Sequence, residues 1–226
     1  EGDILLWDID KTYLSTHFSS WRGLLGIPFE LAVDKESVPG AVPVIRALRR
    51  GIGEETAIVP LYFVSGSPKE MRTVIERRMT LDGVDFDGIT FKDQLGLLLK
   101  GRPRGLKEQI GYKLTALLLY WEQLPKNSRW LLFGDDVECD AEVFELFGRV
   151  CEGFRSTELE SHLRKKRVAK SDIRNLMELT ERLVIGPNPI EKIFIHLERG
   201  SDPSVFRYER VIPTRSYLQT VLVLCK

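Results

Sequence analysis

Apolar and polar positions follow two different periods along this chain of 226 residues. Ile4-Leu5-Leu6-Trp7 is a continuous apolar run closed by Asp8-Ile9-Asp10, the signature of a buried strand with acidic residues at its carboxyl end. Similar short runs, rich in β-branched and aromatic residues, occur at 58–64, 88–91, 130–133 and 193–195. Between them the spacing becomes helical. Pro39-Gly40 opens a helix over 41–50 that Gly51 stops. Ser67-Pro68-Lys69-Glu70 has the form of a capping box and predicts a helix to about residue 78. Ile110, Leu114, Leu117, Leu118 and Trp121 recur on one helical face, and a further helix follows over 139–150. Thr157 with Glu160 forms a second capping-box pattern and starts a charged helical stretch that runs in two pieces to about residue 184. The Val-Leu-Val-Leu run within 214–224 fits a helix or a strand.

Strands alternating with helices predict an α/β fold, a parallel sheet with helices on both faces. The length suits a single domain over 1–226, with a candidate lid at 13–38 and a helical insertion at 156–184. A composition of 43% hydrophobic and 29% charged residues suits a soluble globular chain and excludes wholesale disorder and a disulfide scaffold. The 33 Lys and Arg balance the 33 Asp and Glu, so no global field favours nucleic acid or an anionic membrane. Three cysteines without a Cys-x-x-Cys pair argue against a zinc ribbon and for a reducing, cytoplasmic setting. No apolar run reaches the ~18 residues of a membrane span. The chain begins Glu1-Gly2-Asp3 without a methionine, which leaves room for a leader or a neighbouring domain before it.

In open α/β sheets the ligand lies beyond the carboxyl ends of the strands, so the residues that follow each strand carry the chemistry. Asp8 and Asp10, two apart in extended chain, point to the same side with Thr12 close by. Two such carboxylates repel unless a cation or proton offsets them, and magnesium suits oxygen ligands. Ser65 stands at the second strand's end before a helix N-terminus, a natural anion site. Ser67 reads as a turn and cap residue. Lys113 borders the apolar stripe of its helix, where it can reach a phosphoryl group, with Lys107 the alternative. Gly134-Asp135-Asp136 closes the fourth strand with a third carboxylate, whereas Glu138 and Asp140 are explained by their place at a helix N-terminus.

In this order the residues resemble the four motifs of the haloacid dehalogenase superfamily of phosphohydrolases: Asp8-Ile9-Asp10-Lys11-Thr12, Ser65, Lys113 and Asp135-Asp136. A narrower similarity, over about residues 5–147, is to the catalytic domain of the fungal actin-patch phosphatidate phosphatase family and its bacterial relatives. It rests on VPGAVPVIRAL, LYFVSGSPKEM, GYKLTALL and LLFGDDVECDAEVFELF. Lys11 stands where that family commonly has an acid, and Asp136-Val137 replaces Ser-Gly. The resemblance implies a magnesium-dependent phosphomonoester hydrolase working through an aspartyl phosphate. Asp8 would be the nucleophile and Asp10 the general acid and base. Asp8, the Asp10 backbone carbonyl and Asp135 would hold the metal. Thr12, Ser65 and Lys113 would bind phosphoryl oxygens, and Asp136 or Asp140 would steady the metal shell.

For the substrate, the resemblance points to phosphatidate-like lipids, with a sugar phosphate or a nucleic-acid end as the alternative. His17, Phe18, Trp21, Leu24, Leu25 and Phe29 in the candidate lid would suit an amphiphile. The basic run Arg164 to Arg167, with Lys170, could meet an anionic lipid surface or nucleic acid, but its flanking acids favour a salt-paired, solvated face. Peripheral membrane contact is compatible with the chain, and the nucleic-acid signal is weak. A non-catalytic anion-binding module would not require both Asp8 and Asp10.

Overall fold

The computed structural model describes residues 2–15, 36–51, 58–92 and 109–226. Its centre is a six-stranded, all-parallel sheet in the order β3-β2-β1-β4-β5-β6. The strands are β1 (Asp3–Asp8), β2 (Leu61–Pro68), β3 (Gly88–Lys92), β4 (Arg129–Asp135), β5 (Ile190–His196) and β6 (Val211–Thr214). Among the described residues, seven α-helices accompany them. These are α1 (Ala41–Arg49), α2 (Arg72–Leu81), α3 (Gln109–Gln123), α4 (Asp140–Cys151), α5 (Ser156–Lys165), α6 (Lys170–Arg182) and α7 (Tyr217–Leu224). This is the doubly wound, Rossmann-like arrangement, in which strand order reverses between β1 and β4 and leaves a crevice there.

Strand alternation builds the two apolar layers. Ile4 and Leu6 of β1, with Trp130 and Leu132 of β4, face the side covered by α3, α4, α5 and α6. Leu5 and Trp7, with Leu131 and Phe133, face the side of α1, α2 and α7. On that second side Trp7 stacks on Phe133 at 4.1 Å and on Tyr217 at 5.4 Å. β6 holds Pro213 and is an edge strand, the place where a proline costs no ladder bond.

Several boundaries differ from the sequence reading. β2 runs to Pro68, past the expected end at 64, and its pairing with β3 shifts register between Ser65 and Pro68. No capping box forms there: a short 3₁₀ turn over Lys69–Met71 leads into α2, and the Ser67 hydroxyl is used elsewhere. The second expected box also fails. α5 starts at Ser156 without a side-chain cap, and Arg155 instead donates to the carbonyls of Val150, Thr180 and Leu183, tying the base of the α5–α6 hairpin to α4. The C-terminal stretch resolves into a strand followed by a helix, β6 and α7.

The candidate lid at 13–38 falls largely outside the described residues, including His17, Phe18, Trp21, Leu24, Leu25 and Phe29. Its two ends are described and lie side by side. Ser15 N–H donates to the Glu36 carbonyl and Val38 N–H to the Tyr13 carbonyl, both at 2.9 Å. Tyr13 is buried rather than part of a cover, and its hydroxyl donates to Asp82 at 2.6 Å. Ser37 donates to the same carboxylate at 2.6 Å, and Arg78 forks onto it from one turn earlier in α2. Burial pushes the Asp82 carboxyl up, but the bonds from Ser37, Tyr13 and Arg78 and the Arg78 charge outweigh it and hold the group below its ordinary value.

Asp82 therefore contributes stability that is present in full above the ordinary carboxylate value and is lost as pH falls from there through the lower folded-state value. Asp82→Ala leaves the buried Tyr13 hydroxyl without an acceptor and is expected to cost about 2 kcal/mol in urea unfolding at neutral pH. The cost should shrink on acidification, and a pH-independent difference would refute this account.

Candidate active site

Asp8 ends β1 and Asp135 ends β4, so the crevice at the strand-order reversal is lined from both sides by carboxylates. The turn after β1 carries Asp10 and Thr12. Lys11 sits there at φ 68°, in the left-handed region, and Leu14 N–H closes back on the Ile9 carbonyl at 2.8 Å. This turn places Thr12 Oγ1 at 3.4 Å from both Asp8 Oδ2 and Asp135 Oδ2. Tyr217 of α7 supports the turn from below, its hydroxyl donating to the Thr12 carbonyl at 2.7 Å.

α3 delivers Lys113, which is 1% exposed. Its ammonium lies 2.8 Å from Asp8 Oδ1 and donates to Glu138 Oε2 at 2.7 Å and to Asp140 Oδ1. Asp140, the first residue of α4, also accepts the Asp135 N–H on Oδ2 at 3.1 Å. Gly134 explains how the two segments come so close: a Cβ there would stand 2.5 Å from the Asp140 Cβ. The Gly-Asp pair at the strand end is therefore a packing requirement as well as a source of charge. Asp135 Oδ1 accepts the N–H groups of Val137 and Glu138, which fixes the carboxylate's orientation.

Asp8, Asp135 and Asp140 are all buried, and their ligand atoms lie within 4.8 Å of one another, so they could hold a metal ion. Their present partners differ. Asp140 has both oxygens engaged, by Lys113 and by the Asp135 backbone. Asp8 Oδ1 faces the Lys113 ammonium at 2.8 Å, and Asp8 Oδ2 and Asp135 Oδ2 share the Thr12 hydroxyl at 3.4 Å. All three carboxylates thus have partners within the protein, and Asp140 also fixes the backbone of Asp135. Asp136 turns away to accept the N–H groups of Arg199 at 2.8 Å and Ser201 at 3.0 Å, so it organises the loop after β5 and does not join the cluster.

Asp10 is as deeply buried as Asp8, but its carboxylate is outside the three-aspartate group. Ser65 donates to it at 3.0 Å, and Ser67 donates to both of its oxygens at 3.0 and 3.1 Å. The reading of Ser67 as a cap residue is thus corrected: the strand-extending bulge in β2 turns its hydroxyl into the site. Glu138, assigned to helix-end charge alone, is a second correction, since it accepts from both Lys113 and Gln109. Lys107 lies outside the described residues. Tyr217 and Gln109 carried no motif signal, because both reach the site through tertiary packing.

The electrostatics follow from the count of charges. Asp8, Asp10, Asp135, Glu138 and Asp140 surround Lys113, the cation among the described residues that touches three of them. Burial pushes the Asp8 carboxyl well up; Lys113 draws it down, and repulsion from Asp140, Glu138 and Asp135 adds to the rise. Burial and Asp140 do the same to Asp135. Asp10 is raised by burial and by Glu138, against the lowering effect of Ser65 and Ser67. Burial opposes the charge on Lys113, but Asp140, Asp8 and Glu138 hold it well above the usual lysine value. Such a donor set suits a hard divalent cation, which would replace shared protons as the counter-charge.

No family model, curated protein or solved structure matches this chain.

Lys113→Met would leave the carboxylates facing one another without their ammonium. Removing one partner of such a buried network costs roughly 3–5 kcal/mol. We expect that loss in urea unfolding with a chelator present, and a partial recovery when magnesium is added. A variant whose stability ignores magnesium would show that the cluster does not take the cation as its counter-charge.

Proposed function

We propose that this chain is a magnesium-dependent phosphomonoester hydrolase that works through an aspartyl phosphate, in the manner of the haloacid dehalogenase superfamily its motifs resemble. The observation that carries this reading is the meeting of Asp8 and Asp135 across the crevice, with the Thr12 hydroxyl 3.4 Å from both and the Lys113 ammonium 2.8 Å from Asp8 Oδ1.

Asp8 attacks phosphorus in line, a bond forms from its carboxylate oxygen, and the bond to the leaving oxygen breaks. Asp10 gives the leaving oxygen its proton, a role that suits a carboxyl raised by burial and by Glu138. In the second half Asp10 takes a proton from water as that water attacks the phosphorus, releasing phosphate and restoring Asp8. Lys113 balances the anionic oxygens in both halves and draws the Asp8 carboxyl down against burial, and a bound cation would add to that. Thr12 and Ser65 bear hydroxyls at the edge of the reacting space, and each exchanges its bond to a carboxylate for one to a phosphoryl oxygen. A magnesium ion held by Asp8 and Asp135 would supply positive charge to the phosphoryl oxygens and the developing transition state. Asp140 and the Asp10 carbonyl would complete or orient that set.

Phosphate release from p-nitrophenyl phosphate and from phosphatidate vesicles, with and without magnesium, tests the reading and separates soluble from lipid substrates. Asp8→Asn should abolish release and abolish the acid-stable phosphoprotein trapped by quenching during turnover. Ser65→Ala should lower kcat by about 10²–10³-fold. Full activity in Asp8→Asn would overturn the mechanism.

A further inference from the structure

The α5–α6 hairpin stands outside the regular alternation of strand and helix, inserted between α4 and β5. Its tip lies at the active-site end of the molecule. Lys166 pairs with Glu142 in the first turn of α4, two residues from Asp140. Val168 and Asp172 pack against Gly111, two residues before Lys113, so closely that a Cβ on Gly111 would stand 2.9 Å from Val168 Cγ1. At the other end of α6, Arg182 pairs with Glu122 near the end of α3. α6 therefore runs alongside α3 with its N-terminus beside the site.

The expected salt-paired face is realised only in part. Arg164 bonds Glu160 and Lys166 bonds Glu142. Lys165, Arg167, Lys170 and Arg174 are exposed, and none has an ion-pair partner among the described residues. The hairpin tip and the start of α6 thus expose four cations without an ion-pair partner among the described residues, close to the acidic crevice.

We propose that this tip docks the protein on an anionic phospholipid bilayer and presents the crevice to it. The inference rests on the hydrolase reading only in naming the crevice as the reacting end. Exposed cations spread from Lys165 to Arg174 suit a broad anionic surface, whereas a small anion needs a concave pocket. Clusters of four to eight basic residues are the mark of attraction to anionic leaflets. Nucleic-acid binding is less favoured, because the tip exposes no aromatic side chain for base stacking. The apolar residues of the tip, Val168 and Ile173, are buried, so the contact is electrostatic and does not insert.

Sedimentation with vesicles of phosphatidylcholine alone, and of phosphatidylcholine mixed with phosphatidylserine, tests the proposal on the full chain. The protein should partition to the mixed vesicles only, and added salt should release it. K165Q/R167Q/K170Q/R174Q should weaken partition by at least about a hundred-fold, while turnover of p-nitrophenyl phosphate stays unchanged. Arg129→Gln, at the amino end of β4 and so at the end of the sheet away from the crevice, should leave partition unaltered and control for loss of charge in general. Asp8→Asn should bind vesicles normally, so failure of the hydrolase reading and failure of docking remain distinguishable. Unchanged partition in the quadruple variant, absence of vesicle binding, or binding to duplex DNA instead would each overturn the proposal.

Discussion

Five carboxylates set around one ammonium in the interior of a protein are an electrostatic liability that the rest of this structure is arranged to contain. Asp8, Asp10, Asp135, Glu138 and Asp140 arrive from two strands, a turn and a helix start, and Lys113 meets three of them directly. Burying such charges costs several kcal/mol per ion unless donors and counter-charges take their lone pairs. The fold supplies those donors in an ordered way. Backbone N–H groups hold Asp135, hydroxyls hold Asp10, and Asp140 is shared between the lysine and the strand end. Burial and neighbouring acids still push the Asp8 and Asp135 carboxyls well up, so a cation beside them would relieve both.

The sheet makes that concentration possible. Reversal of strand order between β1 and β4 opens a crevice, and the two strand ends deliver their acids into it from both sides. The stacked rings of Trp7, Phe133 and Phe194 form a stiff floor under the acids on one face of the sheet. A rigid floor matters because attraction and repulsion at these distances change steeply with small displacements.

Much of this was legible in the chain. The strand-end acids and Ser65 follow from short apolar runs that stop at polar residues, and Lys113 from its place beside the apolar stripe of a helix, local signals that survive tertiary folding. The places where reading failed have one cause in common. Ser67 looked like a cap because Ser-Pro-Lys-Glu is a strong local helix signal, but pairing with β3 extends β2 past it and redirects its hydroxyl to Asp10. Glu138 looked like helix-end charge because nothing in its neighbourhood in sequence reveals a lysine 25 residues away. The choice between Asp136 and Asp140 turned on the loop after β5 and on the close approach at Gly134, both long-range features. Tyr217 lies in a stretch whose periodicity fits strand and helix alike.

That tyrosine has a consequence for how the protein comes into being. Its hydroxyl bonds the carbonyl of Thr12 across a separation of 205 residues, and its ring closes the stack on Trp7. β1 is also central, flanked by β2 and by the much later β4. A chain emerging from the ribosome therefore makes its first acidic turn long before the partners that hold it exist. The contacts that complete the site therefore join segments from both ends of the described chain. The concentrated charge of the crevice belongs to the assembled fold, because Asp8, Lys113, Asp135 and Asp140 come together only through it.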